Sequence, residues 1–147
     1  MINFADVLLA ALLVGAMFGI WLIFNPAGVA AGIYITLQQQ GIRMLNRAMP
    51  VLGAVTILLT ILASVLGGGD STRFDLLAGT VVCFVAAGLI TRFRNQPINA
   101  IVITWRTDTP PENWEAVRDE WWRWHLIRLL AGLGGLSLLI AAMLRHG

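Results

Sequence analysis

The chain has 147 residues, 58% hydrophobic and only 12% charged, with a mean hydropathy of +0.78, which excludes a water-soluble globule, a disordered segment, a collagen-like rod and a disulfide scaffold. One domain is the natural count for this length. Its ten cations are all Arg, the formal charge of +2 is too small and scattered for a nucleic-acid partner, and the single Cys83 leaves the redox compartment unread.

A spanning helix needs about 20 predominantly apolar residues. The uncharged run from Val7 to Phe24 predicts a first span over about 5–24. No basic residue precedes it and it is longer than the apolar part of a leader, so a signal peptide is not expected. Pro26 predicts a kink or an end to this helix. Beyond Gly28 and Gly32 the chain turns polar at Gln38, Gln39, Gln40, Arg43, Asn46 and Arg47. The segment from Leu37 to Pro50 therefore reads as a helix emerging into the interface, not as another span. A second span follows over about 51–69, closed by a turn at Gly67-Gly68-Gly69-Asp70.

The third span covers about 75–92 and leads into Asn95-Gln96-Pro97-Ile98-Asn99. Pro97 has no N–H and disfavours helix at the residue before it, so a break is expected here, with Asn95 able to cap the next helical turn. The two Asn amides then either satisfy the broken backbone or point into a cavity. Pro110-Pro111 starts the next helix, with Glu112 and Glu115 near its positive end. The fourth span covers about 126–144. Arg92, Arg94, Arg128 and Arg145 lie at span ends, where they can snorkel. Strict alternation is absent, so a barrel is not supported. The expected fold is all-α: an integral membrane four-helix bundle over residues 1–147, with an interfacial amphipathic segment before the last span.

Counting Arg sets the orientation. The two odd-numbered connections hold Arg43, Arg47, Arg92, Arg94, Arg106, Arg118 and Arg123, against Arg73 and Arg145 on the other side. Both termini are expected outside, with the basic connections on the cytoplasmic face of a bacterial inner membrane.

Polar residues placed where apolar ones would serve are the informative ones in such a bundle. One group follows span one (Gln38 to Gln40, Asn46) and another follows span three (Asn95, Gln96, Asn99). A third precedes span four: Trp105, Trp114, Trp121, Trp122, Trp124, His125 and Arg128. With four spans all three lie at one membrane face. At helical spacing Trp114, Arg118, Trp121, His125, Arg128 and Gly132 share one side. Trp122, Trp124 and Arg123 suit an interfacial anchor. His125 and Arg128 are costly at membrane depth unless paired. For Arg128 the partner could be Asp6, a helix-end carbonyl or a bound anion.

The inventory is thin for metal chemistry. A zinc or non-haem iron site wants about three protein ligands, and His146 is the only His besides His125. No metal and no cofactor are predicted, although a single-His haem or a metal shared between subunits stays open. A phosphate loop is excluded by the lack of Lys. Ser64 and Ser137 read as ordinary helix contacts. What remains is acid–base chemistry at His125, with amide and indole donors able to hold an enolate oxygen and Arg128 favouring an anion. Flanking aromatics suit a flat, lipophilic small molecule taken from the bilayer.

At these residues the sequence resembles the small four-helix membrane proteins related to fungal anthrone oxygenases, over nearly the whole chain. The resemblance rests on Gln39 to Asn46, on Asn95-Gln96-Pro97-Ile98-Asn99 with Trp105, and on Trp114, Arg118, Trp121, Trp124, His125 and Arg128. It implies oxidation of an anthrone-like substrate by molecular oxygen. His125 would then be the base, Asn95, Asn99 and Trp121 positioning donors, and Gln39, Asn46, Trp105, Arg118 and Arg128 substrate-binding residues. A non-catalytic membrane module that binds a lipophilic ligand or a partner is the alternative. A transporter or channel subunit would need several copies, because four helices hold few polar residues. Gly15 and Gly19, four apart, permit close packing within or between chains and leave a homo-oligomer open.

Overall fold

The computed structural model describes residues 2–23, 28–66 and 70–145, so the expected kink at Pro26, the glycines 67–69 of the turn and His146 lie outside the described residues. Five helices account for most of the chain: α1 (Ile2–Ile23), α2 (Ala31–Leu66), α3 (Ser71–Ile90), α4 (Gln96–Val102) and α5 (Trp114–Leu144). A single π-helical turn, Thr91–Asn95, joins α3 to α4 without interruption. Four helical stretches are long and apolar enough to cross a membrane: Ile2–Leu22, Ala31–Leu66, Ser71–Val102 and Trp114–Leu144. The protein is a multi-pass membrane helix bundle.

Three of these stretches are longer than a bilayer requires. At 1.5 Å per residue, the 36 residues of α2 and the 31 of α5 reach roughly 54 and 46 Å, against about 30 Å of hydrocarbon. The 22 residues of α1 reach only about 33 Å. The excess of α2, α3–α4 and α5 projects on the side where α1 ends, and the polar groups sit at that shoulder.

Two local readings sharpen. The segment from Leu37 to Pro50 is helical and no further span, as expected, but it does not stand apart from span two: α2 begins at Ala31 and runs through Pro50. Pro50 has no N–H for the Asn46 carbonyl four residues earlier, and that carbonyl instead accepts from Gln96 Nε2 at 3.5 Å. The chain also does not break at Pro97. Gln96 keeps helical angles (φ −63°, ψ −41°) and donates its backbone N–H to Thr91 O, one residue wider than an α-turn, while Asn95 makes no side-chain cap. The wide turn absorbs the missing Pro97 donor and keeps Asn95 and Asn99 on the bundle side. The amphipathic segment before the last span is the first part of α5 itself.

The apolar core joins Ala10, Leu13, Val14 and Met17 of α1 to Leu77 and Phe84 of α3 and to Leu129, Leu139 and Ala142 of α5. Gly135 above all lets α5 come this close to α3. A Cβ at Gly135 would lie 2.9 Å from the Phe84 ring, and one at Gly132 2.7 Å from Met17 Cε. Gly15 and Gly19 meet no atom within 4 Å, so they make no close helix contact inside the chain.

Candidate functional site

The π-turn, the middle of α2 and the first half of α5 converge on one polar cluster. His125 is fully buried, and its Nε2 lies 3.1 Å from the Met17 carbonyl of α1. A carbonyl only accepts, so Nε2 carries the hydrogen and Nδ1 is the bare nitrogen. Arg128, one turn on, donates to that Nδ1 from Nε at 3.1 Å and from Nη2 at 2.9 Å, and from Nη1 to Thr91 Oγ1 at 3.2 Å. The imidazole stacks on Trp121 (centroids 5.1 Å, planes 3° apart) and leans on Trp122 at 5.6 Å. The indoles fix the ring plane and Met17 fixes its tautomer.

Arg128 is 8% exposed. The ion pairs among the described residues all lie elsewhere, joining Arg106 to Asp108 and Arg118 to Glu115 and Asp119. Asp6, a candidate partner by charge, accepts from Thr60 instead. A guanidinium has five N–H groups. Three are used by His125 and Thr91, which leaves two, and Arg128 lines two adjoining cavities.

The first cavity, about 100 Å³, is polar on one wall, with Gln38, Asn46, Asn99, Thr91, Trp121 and Arg128 among its lining. A directed chain of hydrogen bonds crosses that wall. Trp121 Nε1 donates to Asn99 Oδ1 at 2.8 Å, Asn99 Nδ2 donates to Asn46 Oδ1 at 3.0 Å, and Gln38 Nε2 adds a longer 3.4 Å bond to Asn99 Oδ1. Indole N–H is only a donor, so the sense of the chain is fixed. It ends on the Asn46 NH₂ at the cavity.

The remaining expected residues serve the frame. Asn95 is fully buried and donates from Nδ2 to the Trp121 carbonyl at 3.1 Å, tying the π-turn to α5. Gln39 donates to the Val102 and Trp105 carbonyls at 3.0 and 2.8 Å, tying α2 to the turn that follows α4. Trp105 packs beside Val102 and Trp121. Arg118 donates to Asp119 at 2.8 Å and lies over Trp114, 4.8 Å from its centroid. Among the described residues no three His, Cys, Asp or Glu side chains gather as metal ligands. In the exposed loop before α5, Arg106 grips Asp108 with two bonds, 2.8 and 3.1 Å, and holds that carboxyl below its ordinary range.

Two lining residues are not singled out by the sequence. Gln38 to Gln40 stand together in the sequence and the family resemblance takes Gln39, yet helical spacing from Asn46 puts Gln38, Gly41, Ile42, Leu45 and Met49 on one stripe, and all line the first cavity. Thr91 carries no signal, because its role depends on a π-turn that local pattern does not foretell.

Residues 41–138 match a protein-family model described as anthrone oxygenase. That stretch carries Asn46, Thr91, Asn99, Trp121, His125 and Arg128. No curated protein and no solved structure matches the chain.

Proposed function

The chain belongs to the anthrone oxygenase family, and from that premise we propose that it is a membrane-embedded oxidoreductase that oxidises an activated methylene of a lipophilic, aromatic ketone with O₂. The observation that carries this reading is Arg128: a buried cation with no carboxylate partner among the described residues, lining a cavity, with its neighbour His125 held with Nδ1 unprotonated.

The chemistry follows from that pair. A substrate oxygen at Arg128 and the Asn46 amide draws the guanidinium away from His125. The freed Nδ1 takes a proton from the methylene while the enolate charge forms against Arg128. The transfer makes an imidazolium and an enolate from neutral partners, and the Arg128 guanidinium offsets that cost by holding the enolate charge in a medium of low dielectric. The enolate carbon then forms a C–O bond with O₂, which is reduced to the peroxide level and takes back the proton from His125. Loss of the second methylene proton cleaves the O–O bond, leaving a carbonyl and releasing water. One O₂ is used per ketone and no cofactor is needed. Both His125 nitrogens already have partners, which supports a base held in place over an axial haem ligand. In this reading Asn99 and Trp121 orient the Asn46 donor, and Asn95 is a positioning residue. Gln39, Trp105 and Arg118 shape the rim. The excess of Arg on the site's side supports a cytoplasmic position for that face.

The test is oxygen uptake and quinone absorbance with hydroxylated anthrones, using protein in mild detergent. Native protein is expected to consume one O₂ per quinone formed. His125→Ala should lose kcat and retain binding, whereas Arg128→Gln should lose both. Binding without oxygen consumption would overturn the catalytic reading in favour of a ligand-binding membrane module.

A further inference from the structure

The first cavity is too small to be the whole site. Its 100 Å³ falls well below the roughly 300–1,000 Å³ usual for small-molecule pockets. A second cavity of about 240 Å³ adjoins it, and the two share Ile20, Met49, Pro50, Thr91 and Arg128 as lining. The second is apolar at its far end, where Leu13 of α1, Ile57 of α2 and Phe84 of α3 close it. From Asn46 to Ile57 the pair extends about 16 Å along α2. Arg128 and Thr91 stand at the junction.

The second cavity has a mouth. Pro50 and Ala54 on α2 and Gly88 and Arg92 on the facing helix line it and are exposed. They edge a gap between α2 and α3 that faces hydrocarbon. Small residues keep this gap open without being forced to by packing. A Cβ at Gly88 would meet nothing within 4 Å, and one at Gly53 only Leu13 Cδ2 at 3.8 Å. Gly135 differs, since a Cβ there would meet the Phe84 ring and Cys83 Cβ. Glycine inside a helix costs about 1 kcal/mol relative to Ala, and at 53 and 88 the only return visible is space.

We propose that the site is bipartite and takes an amphiphile: an oxygen-bearing head held by Arg128 and Asn46, and a hydrocarbon portion lying against Ile57 and Phe84. The ligand slides in from the bilayer between α2 and α3. This rests on the reading of Arg128 and Asn46 as the oxygen-binding groups and adds the substrate's second half. A ligand that is all head would leave the larger compartment empty. A plain hydrocarbon would have no reason to leave the lipid, because hydrocarbon gains little on moving from bilayer to apolar protein. The head supplies the affinity and the tail selects among heads.

The experiment is photolabelling with a 4-hexylphenol whose chain ends in a diazirine, on full-length protein in detergent, with labelled residues mapped by mass spectrometry. No turnover is required, so the result stands apart from whether O₂ is consumed. Labelling is expected to concentrate at Leu13, Ile57 and Phe84. Gly53→Leu and Gly88→Leu, made separately, each fill the compartment from a different helix and should cut that labelling about tenfold. Arg128→Gln should cut it comparably by releasing the head. Labelling spread over lipid-facing residues such as Leu58 and Val82, or yields at Phe84 unchanged by both fillings, would overturn the proposal.

Discussion

Polar side chains are buried at both ends of this bundle, and the two ends dispose of them differently. At the end away from the site, Asp6, Thr56, Thr60, Arg73 and Thr80 are all buried. The three threonines donate to carbonyls four residues back, those of Leu52, Thr56 and Leu76, at 2.9 to 3.0 Å, and Thr80 adds a longer 3.4 Å contact to the Gly135 carbonyl of α5. Asp6 takes a 3.1 Å contact from Thr60, and Arg73 a longer one to the Ala63 carbonyl. Neither cavity includes any of these residues. At the other end the bonds run between helices, from α5 to α4 to α2, and finish on donors that face a cavity. Buried polarity inside a membrane protein is thus a weak sign of function. Polarity that also lines a cavity is a stronger one.

The sharpest way to break this contrast is Arg128→Met. Removing the main electrostatic donor to a developing enolate should lower kcat/KM by roughly 10²–10³-fold. Stability should stay within about 1 kcal/mol of native, because removing a buried cation offsets the acceptor orphaned at His125 Nδ1. Activity and thermal unfolding in detergent measure the two together. A variant that unfolds would make Arg128 a structural residue like Arg73.

Packing comes next in size. Gly135→Leu would drive a side chain into the Phe84 ring and Cys83 Cβ, already 2.9 and 3.1 Å from where a Cβ would sit. Overpacking of this kind costs about 1–3 kcal/mol, seen as a lowered unfolding midpoint. Gly88→Ala meets no atom and should hold or slightly raise the midpoint. An equal loss at both would mean that glycine serves helix packing throughout and that the mouth between α2 and α3 is incidental.

How much of this is legible in the sequence obeys the same division. Four spans are readable from apolar length, since hydrocarbon thickness imposes it. So is the gathering of Asn46, Asn99, Trp121, His125 and Arg128, because an even number of crossings returns each polar group to one face. The π-turn is not. Pro97 announces a missing donor, but whether a helix breaks or widens depends on what packs around it, here Asn95 against the Trp121 carbonyl. The partner of Arg128 is equally hidden. Asp6 is the natural candidate by charge, yet it lies eleven residues before Met17 on α1, about 16 Å from the carbonyl that holds His125. The roles of Gln38 and Gln39 turn on a rotation of about 100° along α2, finer than composition resolves.

The threonine end supplies a smaller test. Thr60→Val removes a hydroxyl that donates to its own helix and to Asp6. Hydrogen bonds within membrane bundles average about 0.6 kcal/mol, so the unfolding midpoint should fall only slightly and oxygen uptake should not change. A large loss of uptake would join the two ends into one functional network and remove the distinction between them.

The least effect is expected where charge is most visible. Asp108, bound twice by Arg106, sits in the exposed loop before α5, and its carboxyl is held below the usual carboxylate range by that guanidinium. A group depressed on folding stabilises above its unfolded pKa, near 3.9, and that contribution disappears as pH falls through the lower folded value. Between pH 5 and 8 the pair is therefore fully formed and contributes no slope. Solvent screens it throughout. Asp108→Asn should leave the unfolding midpoint and oxygen uptake unchanged over that range, with any difference confined to pH below 4. If native protein and this variant both lose activity between pH 7 and 5, the titrating group is not Asp108. His125→Gln, which retains an amide donor toward Met17 but has no imidazole to protonate, should abolish the proton-transfer step and with it the pH-dependent turnover.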